Sequence, residues 1–389
     1  MSDSTARSKL HQVEPAVQLR KAKPCIPDDD IEALLGDFAT ILRGGMLTQG
    51  EFTRRFETSF AAYVGSRHAV AMSSGTAPLE IALRFWGVEG REVILPTNTF
   101  VATANAVILA GGTPILSDIN ADTLSNGLTQ VESLVSESTR GVIVVHVAGL
   151  IDPGIAALTS FCRDRGLFVL EDAAHAHGAR IDGKMAGSIG DAAAFSFYPT
   201  KVMTCGEGGM MTTDDDDLAS FARSFRSHGQ RDGSGDLIRL GSNYRLPEMS
   251  AAFGLRQLAR LEEFVEERNR IASWYEVGLQ DSPELSLCPV PKGQRHAYYK
   301  LPVRLPAGID RDELLSSTLS DQVPLGSCYW PPCHLTPFYE KNRHRWRGGT
   351  FAVAEDILPR TVTLPIYPGL TQKEVEIVLR ALEQAMSPR

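Results

Sequence analysis

Three short stretches of the chain hold side chains that could do chemistry together. The first is Ser196-Phe197-Tyr198-Pro199-Thr200-Lys201, which follows an apolar run and precedes Gly206-Glu207-Gly208-Gly209. A lysine just past the carboxyl edge of a sheet is placed to form a Schiff base with a carbonyl compound. The competing reading is a solvated surface lysine, which is what most lysines are. The second stretch is Glu171-Asp172, at the end of another apolar run and followed by Ala173-Ala174-His175. A carboxylate there is costly to bury unless it is partnered. One partner is a protonated ring nitrogen; the plainer role is a helix N-cap. The third is Ser73-Ser74-Gly75-Thr76-Ala77. Its small residues let backbone N–H groups approach a phosphate, and a helix N-terminus there adds a positive end. An ordinary strand-to-helix turn would read the same way.

The elements that must position these residues alternate. Strands are predicted at His68–Met72, Glu92–Leu95, Pro114–Ile119, Gly141–Val147, Leu167–Glu171, Ala192–Phe197 and Gly209–Thr212. Helical patterns fall at Asp28–Gly44, Ala77–Trp86, Val101–Ala110 and Ile155–Arg165. The strands are continuous apolar runs, the pattern of a sheet covered by helices on both faces. Such an order implies an α/β layer with a mostly parallel sheet, in which ligands bind beyond the carboxyl ends of the strands. All three chemical stretches lie there. One long helix is predicted from Pro247 to about Leu279. A smaller C-terminal α+β domain is expected beyond it, with a strand at Tyr298–Leu305 and helices at Arg311–Ser320 and Thr371–Met386. The expected division is an N-terminal mobile arm at 1–23, a large domain at 24–260 and a smaller one at 261–389.

Composition narrows the function classes. The 389 residues are 43% apolar and 22% charged, which excludes a disordered, collagen-like or coiled-coil chain. The net charge is −8 with no strongly basic segment, so nucleic acid is not an expected partner. The six cysteines include no C-x-x-C pair and suit a reducing cytoplasm. Residues 1–23 are polar without an apolar core, unlike a secretory signal, and the longest apolar stretch is far short of a membrane span. The expectation is a cytoplasmic protein with no membrane partner.

Taken in order, a phosphate turn, an aromatic residue (Phe100), an aspartate at a strand end and a later lysine resemble pyridoxal-phosphate enzymes of the aspartate-aminotransferase fold. More narrowly, the chain resembles the DegT/DnrJ/EryC1/StrS family of sugar aminotransferases. The stretches that carry the resemblance are SSGTAPLEIAL (73–83), PTNTFVATANAVILAGGTPILSDI (96–119), EDAAHAHGA (171–179) with SFYPTK and GEGG (196–209), and GSNYRLPEMSAAFGLRQL (241–258). The resemblance implies pyridoxal 5'-phosphate as cofactor, bonded to Lys201 and held at its pyridine nitrogen by Asp172. His175, where many relatives carry Gln, would reach the ring hydroxyl, and Phe100 would stack on the ring. Gly75, Thr76 and Ser196 would hold the phosphate. Asn243 would reach the phosphate of a partner subunit, which makes the expected assembly a homodimer with shared sites. Arg245 would clamp the carboxylate of the amino donor.

The implied reaction is ping-pong. Glutamate, or glutamine, leaves its nitrogen on the cofactor, and a keto substrate then takes it up, with Lys201 moving the proton in both halves. Some sugar dehydratases look like this family but carry His where this chain has Lys201, so the transaminase is the reading kept. The expected acceptor is a nucleotide-activated keto-deoxysugar, dTDP-linked. The alternative is a keto-cyclitol in aminocyclitol biosynthesis, and a third reading is a non-catalytic regulatory paralogue.

Other features carry less. Asp214–Asp217 suits a solvated helix N-terminus. His175-Ala176-His177 lacks the further ligands of a metal set, and no metal is expected. Cys328-Tyr329-Trp330-Pro331-Pro332-Cys333-His334 falls where related enzymes border the substrate, so Tyr329 and His334 are candidate substrate contacts; core and turn packing would explain them equally.

Overall fold

The computed structural model describes residues 19–387 apart from 232, 233, 281 and 283. The expected N-terminal arm therefore lies, up to residue 18, outside the described residues.

The strands are β1 (His68–Met72), β2 (Glu92–Pro96), β3 (Thr113–Ser117), β4 (Thr139–Val145), β5 (Phe168–Asp172), β6 (Arg180–Ile181), β7 (Lys184–Met185), β8 (Ala192–Ser196), β9 (Gly209–Thr213), β10 (Ser286–Leu287), β11 (Leu301–Arg304), β12 (Arg347–Gly348) and β13 (Thr361–Leu364). Eight of them form one sheet in the order β1-β9-β8-β5-β4-β2-β3-β12. Five of its seven pairings are parallel; only β9, between β1 and β8, runs antiparallel to its neighbours. The fold is α/β.

Successive residues of the central strands enter different cores. Val142 and Val144 pack into one layer, while Ile143 and Val145 pack into the other. Both layers are buried, which is why these strands read as unbroken apolar runs rather than as alternation. A third core lies under the antiparallel sheet β10-β11-β13 and contains Leu19, Tyr275, Val303, Val362 and Val378.

The single helix expected from Pro247 to about Leu279 is two. They span Glu248–Ala259 and Leu261–Gly278, and they meet at Arg260, with φ −99° and ψ −4°. Arg260 is held there by Asp29 and Asp30 of the first helix. The break lets the second helix start in the first core, at Leu261 and Val265, and end in the third, at Ile271 and Tyr275. The chain then crosses back: Cys328, Cys333, Tyr339 and Ala354 pack into the second core, and β12 lengthens the large sheet beside β3.

Buried polar groups set the strand ends. Glu171 is fully buried and accepts N–H bonds from Gly187, Ile189 and Gly190, each at 2.8 Å, besides its 2.8 Å contact with His146 Nε2. Burial opposes its ionisation; the bond and charge of His146 and the N–H donors of Gly187 and Gly190 overcome that and hold its pKa below the usual value. This fixes the end of β5, and with it the strand's last residue, Asp172.

Candidate active site

A cavity of about 460 Å³ opens where the parallel strands end, the place a topology of this kind reserves for ligands. It is lined by Gly75, Thr76, Phe100, Asp172, His175, Ser196, Lys201 and Tyr329, among others. Eight of the residues named from sequence are thus brought together.

One end is built for an anion. The helix Thr76–Phe85 begins at Gly75 with no side chain capping it, which leaves its first N–H groups unclaimed by side chains. The turn and the end of β8 approach closely: a Cβ on Gly75 would lie 2.6 Å from Ser196 Cβ, and one on Gly209 would lie 2.2 Å from the Ser74 carbonyl oxygen. Only glycine permits that cradle.

The other end holds the carboxylate. Asp172 is 7% exposed. Its Oδ2 accepts from Thr103 Oγ1 at 2.6 Å, and its Oδ1 accepts from the Ala174 N–H at 3.2 Å. Thr103 in turn contacts Thr99 Oγ1 at 2.7 Å, one helical turn away. The N-cap reading of Asp172 is not what the structure shows, because no helix starts after β5.

Between the two ends sits Lys201, its Nζ 4.6 Å from the centroid of the Tyr299 ring. Its pKa is pushed down to about 7; withdrawal from water is the main cause, with Asp172 opposing the shift and Lys300 adding to it. A neutral amine is therefore well populated near pH 7.

His175 has a defined tautomer. Its Nδ1 accepts the Ala148 N–H at 3.2 Å, so the proton sits on Nε2, which donates to Tyr329 Oη at 2.6 Å. Burial above all, then the charges of Lys201 and Lys300, pushes its pKa well below the usual value and keeps the ring neutral. The Tyr329 hydroxyl, its titration pushed well above the usual value by burial, keeps its own proton to donate. Two non-glycine residues with left-handed backbone hydrogen-bond to His175: Ala148 (φ 60°) and Tyr329 (φ 56°). Such conformations persist only where the surroundings hold them.

Phe100, 59% exposed, stands at the cavity mouth beside Tyr329, the ring centroids 6.2 Å apart. An anion site, a carbonyl-reactive amine, a carboxylate for a cationic nitrogen and an open aromatic face together fit the phosphate, aldehyde and pyridine ring of pyridoxal phosphate.

Three expected residues are not in the cavity. Asn243 is exposed and Arg245 half-buried, flanking Tyr244, whose carbonyl accepts the Ser73 N–H at 2.9 Å. His334 is buried elsewhere: it stacks on Phe351 with centroids 3.9 Å apart, and its nitrogens meet Thr97 Oγ1 at 2.5 Å and Glu355 Oε1 at 3.2 Å. These contacts hold His334 in a packed position outside the lining of this cavity. His177 packs against Phe195 and Phe197. Among the described residues no group of three or more His, Cys, Asp or Glu is arranged to hold a metal, and no helix is long and apolar enough to cross a membrane.

Sequence reasoning missed Thr103, Tyr299 and Lys300. Thr103 had a signal, since it lies on the first turn of the helix Val101–Leu109, three residues after Phe100 and four after Thr99. Tyr299 and Lys300 had none, being brought in from a distant segment.

The model of the DegT/DnrJ/EryC1/StrS aminotransferase family matches residues 28–383. The chain is 36% identical over 377 residues to the spore coat polysaccharide biosynthesis protein SpsC of Bacillus subtilis (strain 168), covering 92% of this chain and 95% of that one. It is also 36% identical over 353 residues to the GDP-perosamine synthase of Caulobacter vibrioides, covering 87% and 91%. Among solved structures it resembles DesI, crystallised in the presence of its TDP-sugar product, with a TM-score of 0.86 and 30% identity, over 94% of this chain and 92% of that one.

Proposed function

The chain belongs to the DegT/DnrJ/EryC1/StrS aminotransferase family, and from that premise we propose that it aminates a nucleotide-activated keto-deoxysugar, dTDP-linked, with glutamate as donor. The family makes it a pyridoxal-phosphate-dependent sugar aminotransferase. The observation that carries the chemistry is the convergence of Lys201, Asp172 and the Gly75–Ser196 cradle in one cavity. The nucleotide reading is supported by the GDP-sugar and TDP-sugar named for two relatives.

Pyridoxal phosphate, when bound, supplies an aldehyde that takes up amines and a ring that draws electrons from the adjoining carbon. The uncapped helix N-terminus at Thr76 and the Ser196 hydroxyl bind its phosphate. Asp172, fixed by Thr103 and Ala174, stabilises a protonated ring nitrogen. Phe100 covers one ring face. His175 offers its Nε2–H through Tyr329 on the hydroxyl side. The Lys201 amine, whose neutral form is well populated near pH 7, takes the α-proton from the donor in one half and gives a proton to the keto carbon in the other; one base serves both halves.

Asn243 and Arg245 act in the cavity of a second copy, which makes the working unit a homodimer. Supporting this, both lie outside their own cavity, and the neighbouring segment presents exposed Met46 and Leu47 beside Pro247, near exposed Leu35 and Leu42 of the first helix. The test is to supply glutamate and a panel of keto-sugar nucleotides and keto-cyclitols and to read amines by mass. An amine on a dTDP-linked keto-deoxysugar is the expected product. Amination confined to cyclitols would overturn the acceptor; no amine from any ketone, with cofactor bound, would point to the regulatory paralogue.

A further inference from the structure

Asn243 and Arg245, the two residues assigned to the cavity of a second copy, stand on either side of one that is tied down. The segment is extended: Asn243 bridges to Ser227, and Pro247 bridges to Thr48. In extended backbone successive side chains face opposite ways. Tyr244 and Leu246 turn toward their own chain, Leu246 being buried, while Asn243 and Pro247 are exposed. The side chains of Asn243 and Arg245 make no hydrogen bond or ion pair among the described residues. Their neighbours do. Tyr244 Oη donates to Glu80 Oε2 at 2.9 Å. Further on, the Glu248 carboxylate accepts the N–H groups of Gly50, Phe52 and Thr53 at 2.8 to 2.9 Å. Two unpartnered side chains are thus presented between two fixed ones.

Glu80 is no ordinary surface acid. It is 6% exposed, and its other oxygen accepts from Arg84 Nε at 2.8 Å. It lies one turn into the helix Thr76–Phe85, whose N-terminus forms the anion end of the cavity. Burial, then the Glu80 bond and charge, push the Tyr244 titration up, so the phenol keeps the proton it donates. The backbone of Tyr244 is held as well: its N–H donates to the Arg226 carbonyl and its carbonyl accepts the Ser73 N–H, both at 2.9 Å. We propose that Tyr244 is a positioning residue, which through its bond to Glu80 holds Asn243 and Arg245 at the angle at which they enter the partner's cavity. This rests on the shared-site reading above. Groups that must meet an anion across a subunit boundary need such support, because misplacement by about 1 Å can cost on the order of 100-fold.

Hybrid dimers separate this role from a merely local one. Lys201→Ala and Asn243→Ala chains carrying different affinity tags are exchanged, and the hybrid is purified through both tags. Its one intact cavity takes Lys201 from the Asn243→Ala chain, and Asn243 and Arg245 from the Lys201→Ala chain. Tyr244→Phe keeps the ring and the backbone bonds and removes only the bond to Glu80. It is introduced into one chain or the other, and pyridoxal phosphate affinity and the glutamate concentration for half-maximal rate are measured. Placed on the Lys201→Ala chain, it should weaken both roughly 10-fold, the low end of what a hydrogen bond to a charged group is worth. Placed on the Asn243→Ala chain, it should leave both at the level of the unmodified hybrid. Equal losses from the two placements, a loss only from the second, or no loss from either overturns the proposal. A purified hybrid with no activity before Tyr244 is altered would instead strike the shared-site reading itself.

Discussion

The carboxylate at the end of β5 depends on one hydroxyl, and removing it should be visible. Thr103 Oγ1 donates to Asp172 Oδ2 at 2.6 Å, in a site where Thr103 is fully buried. Thr103→Val keeps the volume and removes the donor. Asp172 is then left with the Ala174 N–H at 3.2 Å, and Thr99 loses its 2.7 Å partner. A hydrogen bond to a charged group is worth about 1.5–3 kcal/mol, or roughly 10- to 150-fold in an equilibrium that needs the carboxylate in place. The assay is titration of dialysed apoprotein with pyridoxal phosphate, followed by absorbance, with kcat measured at saturating cofactor. Thr103→Val should bind cofactor weaker by that factor and turn over more slowly, while Thr103→Ser stays close to wild type. Wild-type affinity and rate in Thr103→Val would refute the reasoning. An equal loss in Thr103→Ser would show that the methyl group, and not the hydroxyl, is what matters.

Other outcomes follow from the same geometry. Gly75→Ala places a Cβ 2.6 Å from Ser196 Cβ; overpacking of this kind costs about 1–3 kcal/mol, so phosphate-dependent cofactor affinity should fall roughly 5- to 150-fold with the sheet intact by circular dichroism. Lys201 of the apoprotein should react with trinitrobenzenesulfonate with a midpoint near pH 7 rather than 10.5. Lys300→Met should raise that midpoint, since losing a like charge favours the protonated amine; a wild-type midpoint above 9 would contradict the site's electrostatics. Because the folded amine gives up its proton earlier than the unfolded one, this group makes the apoprotein gain stability as pH rises between about 7 and 10.5. Mixing inactive Lys201→Ala and Asn243→Ala chains should restore activity through hybrid dimers carrying one intact site; no recovery after subunit exchange would remove Asn243 from the partner's cavity.

The sequence made legible what depends on local pattern. Unbroken apolar runs announced strands buried on both faces, and the position of Asp172 and Lys201 just beyond such runs announced where they would meet. What it hid depends on long-range packing. The break at Arg260 is invisible to helical periodicity, because it is set by Asp29 and Asp30 more than two hundred residues earlier. Tyr329 reaches the cavity because the chain returns to the large sheet after building the third core, while Tyr299 and Lys300 enter it from the segment just before β11. His334 looked like a neighbour of Tyr329 in the site, yet it turns to Thr97 and Phe351 and ties the returning segment down. Two-residue β12 carries no periodicity to read.

The central claim is that Lys201, and not the other lysine of the cavity, bonds to the cofactor. Borohydride reduction of the yellow holoenzyme, followed by proteolysis and mass spectrometry, tests it directly. The account predicts the reduced cofactor on the peptide that contains Lys201, and none on that peptide when Lys201→Ala is treated alike. Cofactor fixed to Lys300, or a wild-type protein that turns over keto sugars with Lys201 unlabelled, would contradict it.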